Sequence, residues 1–321
     1  SEEAKTIAID GKTLRRSFDS ARNLSTLHLV GAWASGISLF LGQVSTGTTQ
    51  AGQRIVLAGA EKVGKTTLAC GAPGALLVPM EMGYGAMRVP HTPMLETWEA
   101  VEQLCLELIA GAQRGQIARG SSVIWDSATA LERIINDKVL RMDATYKPGN
   151  TTGLTLNSAL GGYGKAYNIA NDLFGRWTRY MDELAKHGGI NCIVTCHVFA
   201  ALVVDPAHGE YNTWDLLLHS PKNQKEYGKR EFITQWADMV AFLHEPMFVM
   251  KAEKGQQLQK AVSSNQGRVL AVDRTPGWVA GNRYGMTGVV PIAHQQGGNY
   301  LADAVYKSCG IDLYNRSVAN V

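Results

Sequence analysis

At 321 residues, 45% hydrophobic and 18% charged, the chain has the composition of roughly two ordinary globular domains with a sizeable core. A formal net charge of +3 excludes a protein that coats nucleic acid by bulk charge, so any basic surface must be local. The five cysteines (Cys70, Cys105, Cys192, Cys196 and Cys309) are odd in number and mostly have apolar neighbours, which argues against a disulfide scaffold and for a reducing cytoplasm. Cys192, Cys196 and His197 lie in a strand-like run with no second ligand pair, so buried thiols are expected there rather than zinc.

Residues 1–45 read differently from the rest. Thr6-Ile7-Ala8-Ile9-Asp10 alternates like a strand, and Leu27 to Ala34 and Ile37 to Val44 read as two more around Gly36. The glycines and His28 in this stretch favour strands over a membrane helix. The expectation is a small antiparallel β-meander. The run AIDGKTLRRSFD, followed by LHLVGAWAS and LFLGQV, resembles the start of the RNase H-like catalytic domain of insertion-sequence DDE transposases. In that family the first-strand Asp is a metal-binding carboxylate, and Asp10 matches it. The two further carboxylates needed to hold two metal ions are missing, and the likeness stops after Val44. Residues 1–45 therefore read as a fused fragment without transposase activity. Residues 46–52 read as a small, polar linker, and residues 53–321 as a second domain of different character. No secretory signal is visible at the start, and the expected location is the cytoplasm of a bacterial or phage-infected host cell.

From Gln53 onward strands and helices alternate, which predicts a mostly parallel sheet covered on both faces. Arg54 to Ala58 is a short apolar strand. Gly59-Ala60-Glu61-Lys62-Val63-Gly64-Lys65-Thr66-Thr67 after it fits the phosphate-binding pattern G-x-x-x-x-G-K-[ST]. In that geometry backbone amides face the phosphates of ATP, Lys65 reaches the β/γ oxygens and the Thr66 hydroxyl holds Mg²⁺. Ala75 to Met80 is the next strand, with Pro79 marking a strand end or a sheet edge. Thr97 to Ala112 is an amphipathic helix, Ser122 to Asp126 the third strand, and Leu131, Ile134, Ile135 and Val139 mark the helix after it. Pro148 to Tyr163 reads as a loop. Ile169, Leu173, Trp177, Met181 and Leu184 stripe a long helix, and Ile190 to Cys196 is a central strand. Ala201 to Arg230 reads as an irregular insertion, and strands at 239–243, 248–251 and 269–272 complete the sheet.

Asp126 ends an apolar strand and fits the second acidic position of P-loop NTPases, which holds Mg²⁺ through water; it could also cap the helix that follows. AAA+ machines usually carry a Glu directly after this Asp, where this chain has Ser127. The candidate general base is instead Glu81, at the end of the strand after the P-loop helix. That placement resembles RecA-like ATPases. The same resemblance implies that His197, at its strand end, senses the γ-phosphate. Arg283, in Asn282-Arg283-Tyr284-Gly285, is similar to the finger that reaches a neighbouring subunit's nucleotide, although Gly281 stands where a Lys is expected. His197 could equally cap or pack, and Arg283 could be a plain surface residue. Lys222, Lys225, Lys229 and Arg230 around Tyr227, and Tyr163 with Lys165, mix cations with aromatics in the manner of single-strand binders; solvated charged loops would look the same.

Together, residues 53–310 resemble the short RecA-like P-loop ATPases of bacteriophages, which act in recombination by annealing or pairing single strands. The resemblance implies ATP and Mg²⁺ as cofactors and a homo-oligomeric ring or filament as the working form. It also implies single-stranded DNA as partner, a single-strand-binding or recombination protein as a further one, and no membrane. The alternative is a nucleotide-switched assembly or targeting ATPase for a transposase or nuclease, without DNA processing of its own.

Overall fold

The computed structural model describes residues 51–85, 87–149, 153–207, 209–221, 227–247, 267–292 and 305–306 in full, and the backbone course of 7–13, 28–34, 39–46, 248–250 and 260–263. The chain divides into two units, Ser1–Gln50 and Ala51–Val321. In the first, β1 (Ile7–Thr13), β2 (His28–Ala34) and β3 (Leu39–Thr46) form an antiparallel sheet in that order, with a register irregularity at Ala32/Trp33.

The second unit is a mixed α/β fold around a mainly parallel sheet. In chain order it contains β4 (Arg54–Gly59), α1 (Lys65–Ala69), β5 (Ala75–Pro79), α2 (Trp98–Gln113), β6 (Ser122–Asp126) and α3 (Ala128–Leu140). Next come α4 (Lys165–Glu183), β7 (Asn191–Cys196), β8 (Val198–Asp205), β9 (Gly209–Leu216) and α5 (Lys229–Trp236). The remaining strands are β10 (Met239–His244), β11 (Met247–Met250), β12 (Lys260–Ser263), β13 (Arg268–Ala271), β14 (Gly281–Asn282) and β15 (Val289–Ile292). The sheet runs β15-β13-β10-β4-β7-β6-β5, with β14 also on β10. Strands β10, β4, β7, β6 and β5 are parallel, and β13, β14 and β15 add antiparallel partners.

The alternation of side chains along each central strand divides the core into two layers. Val56 and Ala58 of β4, Val123 and Trp125 of β6, Cys192 and Val194 of β7 and Phe242 of β10 face α2 to α5. Ile55, Leu57, Ile124, Ile193, Ala241 and Leu243 face α1 and the segment around Tyr284 and Met286. Both faces are buried, so these strands read as continuous apolar runs. The larger layer is centred on Trp125 and Trp177, edge to face at 5.6 Å; truncating either to Ala would cost roughly 3–5 kcal/mol. Pro79, which cannot donate to a ladder, ends the edge strand β5.

At the N-terminal edge of the sheet, the Arg54 guanidinium donates to both Asp238 oxygens (3.1 and 2.7 Å) and to Asp182 (3.0 Å), and lies 5.6 Å over the Trp236 ring. One side chain thus ties β4 to α4 and to the start of β10. The stretch read as an irregular insertion is in fact largely the regular hairpin β8–β9, paired from Val198↔Leu216 to Asp205↔Gly209. Its strands alternate exposed and half-buried positions, a pattern weaker than that of the central strands. Among the described residues, no helix is long and apolar enough to cross a membrane.

Candidate nucleotide-binding site

The parallel strands end together at one edge, and the loops leaving them converge there. Gly64, left-handed at φ 93°, caps α1 without a side-chain acceptor, so the amides of the first turn are left for an anion or water. Lys65 is buried; its Nζ donates to the carbonyls of Gly59 (3.0 Å) and Ala60 (2.8 Å) and lies 3.5 Å from His197 Nδ1. The Thr66 hydroxyl donates to Asp126 Oδ2 at 3.0 Å, and Thr195 on β7 donates to Oδ1 of the same carboxylate. Burial pushes the Asp126 carboxyl above its ordinary value, against these two hydroxyls. Burial also pushes the Lys65 ammonium down, opposed by the negative charge of Asp126 and Glu81.

Glu81 follows β5 just beyond the Pro79↔Asp126 pair and accepts from His197 Nε2 at 3.0 Å. Burial raises the Glu81 carboxyl, but the hydrogen bond and charge of His197, the Ser127 hydroxyl and Lys65 outweigh it and hold it below the usual carboxylate value. His197 therefore bridges Lys65 and Glu81. Its backbone N–H donates to the Thr129 hydroxyl at 3.3 Å, and Thr129 donates to Leu217 O at 3.2 Å. Ser127 takes the N-cap of α3, accepting from Ala130 N at 3.2 Å. The helix-cap alternative weighed for Asp126 thus falls to its neighbour.

Glu81, Lys65, Thr66, Asp126 and His197, singled out one by one along the chain, are brought together. Arg283 is not. It sits at the opposite edge of the sheet, where it donates to Asp238 Oδ1 (3.1 Å) and Gln235 O (2.8 Å) and is 58% exposed. The six residues of β4 separate it from its own P-loop by roughly 20 Å.

The basic segments also need correction. Lys229 is 0% exposed, its ammonium 3.1 Å from Glu132, so it is a buried structural cation and no phosphate contact. Arg230 is half-buried, paired with Asp215 (2.8 Å) and Glu231 (3.2 Å). Tyr227 is exposed, as are Tyr163 and Lys165 beside the start of α4, and Lys222 and Lys225 lie outside the described residues. Two groups at the site escaped sequence reasoning. Thr195 was a lone hydroxyl in an apolar strand, a signal that it faces a polar partner on the next one. Arg268, buried at the start of β13, donates to Val63 O at 2.9 Å against the P-loop; a cation opening an apolar strand was its only trace.

The donor set fits a nucleotide with Mg²⁺. A shielded hydroxyl–carboxylate pair offers hard oxygens, and a buried ammonium lies beside uncapped amides. Among the described residues, no cluster of three or more His, Cys, Asp or Glu offers a rival metal site.

This fold and site define a P-loop nucleoside triphosphatase. Residues 51–284, most of the chain, match the family model described as AAA domain, and the chain belongs to that family of ATPases. Two curated proteins of Escherichia coli (strain K12) match a short stretch: "H repeat-associated putative transposase YhhI" and the protein YbfL. Each is 44% identical over 46 residues, covering 14% of this chain and 12% of the relative's length.

Proposed function

We propose that the chain is a RecA-like ATPase that binds single-stranded DNA as an oligomer and anneals or pairs strands in recombination, as in bacteriophages. The observation that carries this reading is Glu81. The carboxylate bonded to His197, and through it linked to Lys65, lies just past the end of β5, while Ser127 follows Asp126. A base on the neighbouring strand, rather than beside the Mg²⁺-positioning Asp, is the RecA-like arrangement.

In this reading Glu81, kept ionised by His197 and Ser127, orients the attacking water and accepts its proton. Lys65 stabilises the charge that builds on the phosphate oxygens. Thr66 and Asp126 would hold Mg²⁺, which when bound neutralises phosphate charge. His197 couples this site outward, because its backbone and Thr129 hold Leu217, at the start of the segment that carries Lys222, Lys225 and Tyr227. Arg283, a strand's length from its own P-loop, can serve only the P-loop of another copy, which supports a ring or filament. The meander of residues 1–45 is a fused fragment, residues 46–52 its linker, and the working place a bacterial cytoplasm.

The test is fluorescence anisotropy of a labelled single strand with and without ATP. ATP-enhanced, salt-sensitive binding that Lys65→Ala abolishes is expected. The transposase-like likeness favours a second reading, a nucleotide-switched targeting ATPase for a transposase or nuclease. ATP hydrolysis without any DNA binding at low salt would select it.

A further inference from the structure

Beside the P-loop, on the face opposite α1, lies a cavity of about 470 Å³ that the nucleotide chemistry does not use. Its wall is aromatic. Phe242 and Trp278 stack at 5.8 Å and 12°, His244 lies 4.9 Å from Trp278, and Trp214 of the β8–β9 hairpin completes the lining, 42% exposed. The hairpin is held here by its backbone: Trp214 N donates to Gly277 O at 3.0 Å and Val279 N to Trp214 O at 2.8 Å. Trp278 Nε1 and His244 Nε2 are shielded polar atoms with no hydrogen-bond partner among the described residues. Burial pushes the His244 imidazole below its ordinary value, so near neutral pH it behaves as an uncharged ring.

The floor is formed by Ala60 to Val63, the outer arc of the P-loop, and by none of Gly64 to Thr67. A ligand there lies outside the phosphate cup. Flat rings on several sides suit another flat ring better than an aliphatic chain. Every nucleobase has such a face, and the exposed Lys62 at the rim can meet the phosphate that follows it. The hairpin carrying Trp214 starts at Val198, directly after His197, so the cavity and the hydrolytic site share both the P-loop and the end of β7.

We propose that this cavity takes a nucleobase of single-stranded DNA, stacked on Trp214, and that the occupied base and the bound nucleotide meet at Ala60–Val63. The proposal rests on the single-strand reading above and adds a site to it. It is tested on the full chain with a labelled twelve-nucleotide single strand, following anisotropy and tryptophan emission together. The strand is expected to quench emission. Trp214→Leu is expected to weaken binding at least fivefold, from the loss of one stacked base, while Trp214→Phe keeps most of it. Met247→Glu, at a rim position 66% exposed and tolerant of a charge, is expected to weaken binding too and guards against a misfolded Trp214 variant. Unchanged strand affinity in Trp214→Leu and Met247→Glu would overturn the base site and leave the single-strand reading standing. A loss of ATP affinity with unchanged strand affinity would assign the cavity to the nucleotide's own base and overturn it equally. No strand binding by the wild type at low salt would remove both.

Discussion

Glu132→Ala should unfold this protein more readily than any surface change, and the cost can be worked from the geometry. Glu132 faces the ammonium of Lys229 at 3.1 Å, with side-chain exposures of 13% and 0%. It also accepts from His219 N at 3.0 and 3.2 Å. Among the described residues, its removal leaves a buried cation with only Asn136, at 3.4 Å, and a backbone amide unpaired. Breaking a buried pair in this way costs about 4 kcal/mol, which in a domain of this size lowers the melting temperature by roughly 8–16 °C. The loss should depend on pH. Burial already holds Lys229 below the ordinary lysine value despite Glu132, and without the carboxylate it falls further. The folded state then binds fewer protons than the unfolded chain, so stability rises with pH, and the deficit should shrink from pH 7 toward 10. Replacing both partners, as in Glu132→Leu with Lys229→Met, should restore most of the stability. Calorimetric melts of the wild type and the two variants across that pH range decide it. A Glu132→Ala melt within about 2 °C of wild type, or a deficit that does not change with pH, would refute the buried-cation reasoning.

Glu81→Gln is expected to bind ATP while hydrolysing it roughly 10²–10⁴-fold more slowly; single-turnover assays check this, and wild-type turnover would move the base elsewhere. His197→Phe removes the hydrogen bond and charge that hold the Glu81 carboxyl down, so the acid limb of the pH–rate profile should move to higher pH, and an unmoved limb would detach the two groups. Arg283→Ala and Lys65→Ala should each be inactive alone, yet mixing them should restore part of the hydrolysis, because an intact P-loop from one copy can meet an intact arginine from another. A mixture as dead as its parts would return Arg283 to its structural bonds with Asp238 and Gln235.

What could be read in advance follows from how local each signal is. The P-loop, the buried strands and the amphipathic helices are written in short windows, and the parallel order of β5, β6 and β7 brings Glu81, Asp126 and His197 to one edge once those windows are right. Lys229 misled because Gly228-Lys229-Arg230 looks like a solvated basic turn; its partner Glu132 lies on another helix, out of any local window. The β8–β9 hairpin was obscured by half-exposed strands of modest alternation. Arg283 carried a recognisable spelling but no indication that β14 pairs with the start of β10, far from the loop of its own chain. Arg268 reaches the P-loop only because β13 runs antiparallel to β10.

The thiols of β7 have one more use. Cys192 and Cys196 are fully buried, and burial holds both sulfurs in the unreactive protonated form, Cys196 pushed up to about 12. An alkylating reagent therefore cannot touch them while that strand keeps its neighbours. Their modification rate becomes a stopwatch for how often the centre of the sheet parts, set a single residue away from the histidine that joins ammonium to carboxylate.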